Sequence, residues 1–133
     1  MSLEAGEELA TQTFRVTRAD LVAYAAAAGD PNPIHQDADV ARSVGLPGVI
    51  AHGMYTLALA ARAVDGWAGA PGRVVELGAK FTKPVVVPAG EDGAEVVVAG
   101  TVKKVEDGRA TIGLTVTCGA DKVLGMPTAV VAL

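Results

Sequence analysis

An apolar run near the middle of the chain reads Met54-Tyr55-Thr56-Leu57-Ala58-Leu59-Ala60-Ala61-Arg62-Ala63-Val64. The run is apolar on nearly every side, and a helix of this kind is normally buried over most of its surface. It therefore predicts a central helix that begins near Gly53 and ends at Asp65-Gly66. Residues 67–72 predict a loop, in which Trp67 is expected to be a packing residue and not a ligand platform.

Beyond Arg73 the sequence has the pattern of β-strands. The predicted strands are Val74–Phe81, Val85–Val87, Glu95–Val105 and a final strand that ends at Leu133. Pro84 has no amide to donate, and it predicts a bulge or a sheet edge at its position.

A hairpin is predicted at Glu106-Asp107-Gly108, because Asp-Gly pairs favour the tight turns that join antiparallel strands. After this turn apolar residues alternate with polar or small ones, which indicates a strand with one buried face. The apolar positions are Ala110, Ile112, Leu114, Val116 and Cys118. On this alternation Cys118 points toward the core and is expected to be a packing residue, not a nucleophile.

The part of the chain before the central helix predicts a short strand over Thr11–Val16 and then a helix. Thr17-Arg18-Ala19-Asp20 has the pattern of a capping box, and Gly29 can take the left-handed conformation that ends a helix. Asp37 predicts the cap of a second, short helix that ends near Gly45. Short links between strands cannot make parallel pairs, so residues 1–133 predict one α+β domain, an antiparallel sheet with a helix on one face.

Composition and charge narrow the class of protein. Half of the 133 residues are apolar but only 4% are aromatic, so the core must be built from Val, Ala and Leu. A net charge of −4 argues against nucleic-acid binding, and no stretch has the length of a membrane span. The single cysteine allows no internal disulfide, and the acidic N-terminus lacks a signal peptide's apolar centre. We expect a soluble cytoplasmic protein with no nucleic-acid or membrane partner.

The candidate chemistry lies in Gly29-Asp30-Pro31-Asn32-Pro33-Ile34-His35. Asp30 and His35 are a carboxylate and an imidazole five positions apart, and the two prolines predict an extended, rigid segment between them. Such a segment can hold both groups at a fixed separation for acid/base chemistry. Asp after a helix and Asn before Pro are also ordinary turn residues. The other histidine of the chain, His52, directly precedes Gly53.

Residues 24–41, which surround this motif, resemble the signature of the MaoC-like hydratases and dehydratases, also called hydratase 2. Ala51-His52-Gly53-Met54 and Phe81-Thr82-Lys83-Pro84-Val85 resemble other recurring stretches of the family, so the likeness covers nearly the whole chain. Within the family it is most similar to catalytic subunits of (3R)-hydroxyacyl-carrier-protein dehydratases. The family usually has Gly or a small hydroxyl-bearing residue where this chain has Ala28.

The resemblance implies a hot-dog fold, in which the sheet wraps around the helix. It also implies that the protein adds water to trans-2-enoyl thioesters, or removes it from (3R)-hydroxyacyl thioesters, with coenzyme A or acyl carrier protein as the carrier. Asp30 and His35 would together bind the water, and Gly53 would donate its amide to the thioester oxygen. Asn32 and His52 are further candidates for substrate binding, with a structural hydrogen bond favoured over catalysis for His52.

No cofactor is predicted, since the chain has neither a phosphate loop nor a dinucleotide fingerprint. Asp30, His35, Asp37 and His52 are potential metal ligands, but the two histidines are not at a chelating interval and no cysteine is nearby, so no metal site is predicted. Two alternatives to a hydratase stay open. One is a non-catalytic acyl-binding subunit, which would be expected to lack the Asp or the His, and the other is a thioesterase on the same fold.

A dimer is expected, because an open sheet around one helix exposes edge strands and leaves an acyl groove unfinished. In the family two hot-dogs join their sheets, and the groove runs along the interface. Since Asp30, His35 and Gly53 are all in this chain, a homodimer with two sites is the simpler expectation. A heterodimer with a second hot-dog subunit is the alternative.

Overall fold

The computed structural model describes residues 3–133, which form six strands, three α-helices and one 3₁₀ turn. The strands are β1 (Glu8–Val16), β2 (Val74–Phe81), β3 (Ala94–Glu106), β4 (Arg109–Cys118), β5 (Asp121–Lys122) and β6 (Leu124–Ala132). The helices are α1 (Arg18–Ala28), α2 (Ala38–Ser43) and α3 (Gly53–Ala68), with the 3₁₀ turn at Pro33–His35.

The six strands form one antiparallel sheet in the order β1-β3-β4-β6-β2, with the short β5 paired to β4. Helix α3 contacts both edge strands, β1 and β2, as well as β3 and β6. A helix can touch both edges of one sheet only if the sheet curves around it. The predicted α+β class and the hot-dog fold are therefore confirmed.

Small aliphatic side chains fill the inside of the curved sheet, as the composition predicts. From α3 the core receives Leu59, Ala63 and Val64, all of them buried. The expectation that α3 is buried on most sides is correct only for its sheet side, because Met54 and Arg62 on another side are exposed. No helix within residues 3–133 is both long and apolar enough to cross a membrane.

The local signals that begin and end the first two helices are confirmed. The Thr17 hydroxyl accepts a hydrogen bond from the Asp20 amide, and the Asp20 carboxylate accepts one from the Thr17 amide at 2.8 Å. Gly29 ends α1 in the left-handed conformation with φ of 70°. The Asp37 carboxylate caps α2. Each signal is satisfied within a few residues, so it does not depend on the rest of the fold.

The predicted hairpin joins β3 and β4. Asp107 and Gly108 have φ of 54° and 73°, the two positive values that a type I′ turn requires. Beyond the turn the alternation is confirmed, with four apolar side chains of β4 buried: Ala110, Ile112, Leu114 and Val116.

Cys118, at the end of this alternation, is half-buried and packs against the core. Burial, and secondarily the nearby Asp121 carboxylate, raises the pKa of the Cys118 thiol. A raised pKa keeps the thiol protonated at neutral pH, and a protonated thiol is a poor nucleophile. The structure thus agrees with a packing role.

The predicted end of α3 at Asp65-Gly66 is wrong, because the helix continues to Ala68 and is closed by Gly69 with φ of 79°. Gly66 lies inside the helix, where Gln12 of β1 packs against it. A Cβ at Gly66 would lie 3.0 Å from Gln12 Nε2, which donates a hydrogen bond to the Ala63 carbonyl at 2.9 Å. The glycine therefore makes room for a side chain that is distant in sequence.

Other elements also differ from the predictions. Strand β1 begins at Glu8, before the predicted Thr11, because its pairing with β3 extends to that residue. Val85–Val87 forms no strand and makes only an isolated bridge from Val86 to Ile50. Trp67 lies in the last turn of α3 instead of a loop, but it is a packing residue, as predicted, and lies against Gly100 of β3.

We expect Gly100→Ala to lower the free energy of unfolding by about 1–3 kcal/mol, the usual cost of overpacking a core. A Cβ at Gly100 would lie 2.8 Å from the Trp67 ring, which is closer than van der Waals contact. Urea unfolding measures the change. Gly78→Ala is the matched control, because Gly78 also lies in a strand but a Cβ there would meet nothing within 4 Å. Equal stability of the two variants would contradict this packing.

Candidate active site

The segment between α1 and α2 holds two candidate residues in place. The Asp30 amide donates to the Ala25 carbonyl at 3.1 Å, which fixes Asp30 to the end of α1. The Asn32 side-chain oxygen accepts a hydrogen bond from the Ile34 amide at 3.2 Å and so caps the 3₁₀ turn. The predicted extended conformation is wrong for residues 33–35, because a proline in the first turn of a helix needs no amide partner and Asn32 supplies the cap.

The backbone fixes one ring nitrogen of His35. Its Nδ1 lies 2.7 Å from the Ile50 carbonyl oxygen, and since a carbonyl only accepts hydrogen bonds, Nδ1 is the donor. In the neutral ring, Nε2 then carries the lone pair. His35 is 7% exposed. Nε2 is therefore the atom of His35 that can act as a base toward a bound ligand.

Asp30, His35 and His52 come together as one cluster. A carboxylate oxygen of Asp30 and one ring nitrogen from each histidine lie within 4.8 Å of one another. A single water can bridge two acceptors at that separation, because each hydrogen bond spans about 2.8 Å. Asp30 is exposed, whereas both histidines are buried. The cluster can therefore take a proton from a bound water and deliver one to a neighbouring atom.

His52 contacts both of the other members of this cluster. Its Nε2 donates to the Asp30 backbone carbonyl at 3.2 Å, and its ring stacks on that of His35 with centroids 3.7 Å apart. Its Nδ1 is buried and makes no hydrogen bond with any described residue. These contacts are consistent with a structural hydrogen bond, while a part in substrate binding stays a prediction.

Two tyrosines support the His52 ring from α1 and α3. The Tyr24 ring meets that of His52 edge-on, with centroids 4.8 Å apart, and meets that of Tyr55 at 5.2 Å. Burial raises the pKa of the Tyr55 hydroxyl, Asp20 adds to this shift, and Arg62 opposes it. The Tyr55 hydroxyl therefore stays neutral at physiological pH.

Gly53 is the first residue of α3, where amides have no partner within the helix and the dipole is positive. Its amide makes no hydrogen bond with the described chain. The Phe81 ring lies over it, and a Cβ at Gly53 would be 3.0–3.1 Å from three ring atoms. The amide is thus available to a ligand in a space that a larger residue would close.

Two cavities meet at His35, Gly53 and Phe81. One, of about 390 Å³, also includes Tyr24 and Asp30. The other, of about 400 Å³, has a mainly apolar wall that includes Leu46, Ile50, Thr56, Val85, Val123 and Leu124. The polar cluster and an apolar chamber therefore share one boundary, an arrangement that can hold the reacting end and the aliphatic tail of a single ligand.

The arrangement of the two histidine rings fits acid/base chemistry better than metal binding. Their planes differ by only 21° and lie face to face, so their in-plane lone pairs lie in two separate, nearly parallel planes. A zinc ion about 2.0–2.1 Å from both nitrogens would have to lie in both planes at once. One nitrogen of each ring, Nδ1 of His35 and Nε2 of His52, also donates to a carbonyl.

Sequence patterns indicated Asp30, His35, His52 and Gly53, and the structure brings these four together. Asn32 lines neither cavity, and its oxygen is used by the Ile34 amide, so its role in substrate binding stays a prediction. The sequence interpretation assigned no role to Phe81 or Thr56. The signal for Thr56 was present, because it is a hydroxyl on the apolar run three residues after Gly53.

Comparisons with known proteins show which proteins this chain is similar to. The family model described as "MaoC like domain" matches residues 2–123. Over 76 residues, 57% of this chain, the sequence is 43% identical to "3-hydroxyacyl-thioester dehydratase X" of Mycobacterium tuberculosis, of which it covers 26%. A solved "MaoC-like dehydratase" has a TM-score of 0.94 and 36% identity over 98% of this chain and 41% of its own. An (R)-hydratase from A. caviae involved in PHA biosynthesis has a TM-score of 0.84 and 27% identity, covering 99% and 98% of the two chains.

The chain therefore spans about a quarter of the curated relative's length and less than half of the first structure's.

We expect the two histidines to be opposite neutral tautomers, with the proton on Nδ1 of His35 and on Nε2 of His52, because each donates to a carbonyl through that atom. Nitrogen-15 NMR of the imidazole rings at mildly alkaline pH, where imidazoles are neutral, measures this. The variant His52→Asn leaves one histidine and assigns the signals. Two rings protonated on Nε2 would contradict the His35 geometry.

Proposed function

Because the chain belongs to the family of MaoC-like domains, we propose that it is an (R)-specific hydro-lyase for acyl thioesters. It adds water to trans-2-enoyl thioesters and, in the reverse direction, removes water from (3R)-hydroxyacyl thioesters. The observation that carries this proposal is the meeting of the Asp30 carboxylate, the His35 ring and the Gly53 amide at the boundary of an apolar cavity. The similarity of the chain to a 3-hydroxyacyl-thioester dehydratase and to an (R)-hydratase supports it.

In this mechanism Asp30 and His35 bind one water from two sides, and one of them removes a proton from it. The water oxygen then bonds to C3 of the enoyl group, and the electron pair of the C2–C3 double bond moves toward the thioester oxygen. The amide of Gly53 and the positive end of α3 stabilise that developing charge. The residue that took the proton from the water then gives it to C2 from the same side, which restores the thioester and completes the addition of one water.

The acyl tail would lie along the wall of the apolar cavity, with the thioester at Gly53. The carrier is coenzyme A or acyl carrier protein. A panel of acyl lengths on both carriers identifies the preferred substrate, because kcat/KM compares how well each one is bound in the transition state.

The working species in this proposal is a dimer, with a homodimer as the first expectation and a heterodimer with a second hot-dog subunit as the alternative. Two features support it. The edge strands β1 and β2 leave unpaired backbone groups at both ends of the sheet. Phe81 and Met54, which line the cavity that includes Asp30, are each 57% exposed, and a second subunit could cover them.

We expect Asp30→Asn and His35→Ala each to lower turnover by about a hundredfold or more, since general acid/base groups contribute on that scale. The double variant should lose little more than either single one, because both residues act on the same water. Hydration of crotonyl-CoA, followed by the loss of enoyl-thioester absorbance, measures the rate.

Cys118→Ala is the control, because this thiol lies outside both cavities. Near-normal rates from Asp30→Asn or His35→Ala would contradict the mechanism. Release of free thiol by the unmodified protein would instead identify a thioesterase, and a protein that binds the thioester unchanged would identify a non-catalytic subunit.

Light scattering on the purified protein should show a species of twice the 13.4 kDa chain mass that is active in the same assay. An inactive protein that gains activity when a second hot-dog subunit is added would support the heterodimer. Activity in a monomer would contradict both assemblies.

A further inference from the structure

Three polar residues are buried within residues 3–133, and all three lie at the candidate site: His35, His52 and Thr56. Each histidine donates a hydrogen bond to a backbone carbonyl. Thr56 is 4% exposed, yet its hydroxyl bonds to no atom of the described chain. Within residues 3–133 the fully enclosed side-chain polar atom without a partner is His52 Nδ1, so the Thr56 hydroxyl is not sealed inside the core and stays open to a cavity.

The usual partner of a threonine in a helix is not used here. Such a hydroxyl commonly bonds a carbonyl one turn earlier, which for Thr56 includes that of His52. The His52 carbonyl already accepts hydrogen bonds from the amides of Tyr55 at 3.0 Å and Thr56 at 3.2 Å. The hydroxyl is therefore left for the cavity that the residue lines.

The position of Thr56 on α3 places its hydroxyl near the thioester end of the cavity. Thr56 follows Gly53 by three residues, so both lie on one face of α3, and helical side chains lean toward the N-terminus. The hydroxyl thus lies over the first turn, on the side of the Gly53 amide. Both residues line the apolar cavity, whereas Asp30 lines only the neighbouring one. The Thr56 hydroxyl is therefore closer to the expected position of the acyl thioester than to the part of the site where Asp30 would bind the water.

We propose that Thr56 is a second oxyanion donor, whose hydroxyl donates to the thioester oxygen beside the Gly53 amide. The assignment rests on the proposed hydration reaction. When the water oxygen bonds to C3, the double-bond electrons form an enolate whose charge lies on the thioester oxygen. Two donors then stabilise that charge. Both hydrogen bonds become weaker when C2 gains its proton and the carbonyl re-forms.

The test compares Thr56→Val, which removes the hydroxyl at nearly constant volume, with Thr56→Ser, which keeps it. We expect Thr56→Val to lower kcat for crotonyl-CoA about 100-fold, the lower end of the range for the loss of one oxyanion donor, with a smaller change in KM. Thr56→Ser should retain most of the wild-type kcat. Thr128→Val, at an exposed threonine of β6, is the control and should match the wild type.

A second measurement needs no turnover. Wild-type protein should shift the carbonyl stretch of bound butyryl-CoA, a saturated thioester, to lower frequency than Thr56→Val does, because a donated hydrogen bond weakens the carbonyl. This measurement separates the two proposals, because the carbonyl shift reports on the bound thioester. It can therefore be present or absent whether or not the protein has hydratase activity. Urea unfolding checks each variant, and Thr56→Ala replaces Thr56→Val if the latter does not fold.

An unchanged kcat and an unchanged carbonyl frequency in Thr56→Val would overturn the role. So would a rise in KM alone, which would mean that the hydroxyl binds substrate and transition state equally. Thr56→Ser as damaging as Thr56→Val would show a packing role instead.

Discussion

The peptide unit of Ile50 is the constraint on which the site depends. Its amide donates to the Ile34 carbonyl at 3.2 Å, and its carbonyl accepts from His35 Nδ1 at 2.7 Å. The next residue, Ala51, donates its amide to the Val85 carbonyl at 2.9 Å. The His35 ring is thus held by irregular backbone pairing that links three separate parts of the chain. Because His35 is buried, water does not compete for its Nδ1 bond, and the fold itself selects the tautomer.

Around this constraint, the sheet and the helices have separate tasks. The curved sheet buries the apolar side of α3 and so fixes where its first residue, Gly53, lies. Helix α1 and the 3₁₀ turn bring Asp30 and His35 to the same place from the other side. The candidate groups therefore come from segments that the fold already orders, which reduces the entropy that binding of a ligand must overcome.

The parts of the fold that could be predicted from sequence have causes within a few residues. The capping box of Thr17 and Asp20 and the turn at Asp107-Gly108 are satisfied by their own neighbours, and the structure has both. Gly66 misled the prediction because this glycine makes room for Gln12, which is distant in sequence. In the site, the motif and the family likeness indicated Asp30, His35 and Gly53. Ile50 anchors the His35 ring, and Phe81 covers Gly53. Both are contacts between segments distant in sequence, so no local pattern predicts them.

The contact between Gly53 and Phe81 has a consequence for how such chains diverge. Ring atoms of Phe81 occupy the space in which a side chain at position 53 would begin. A larger residue at 53 therefore requires a smaller or displaced one at 81, and a chain that loses the aromatic ring gains room for a side chain at the helix start. Position 53 can therefore gain a side chain only with a change at position 81, so a paired substitution among descendants would mark a lineage whose cavity has been reshaped.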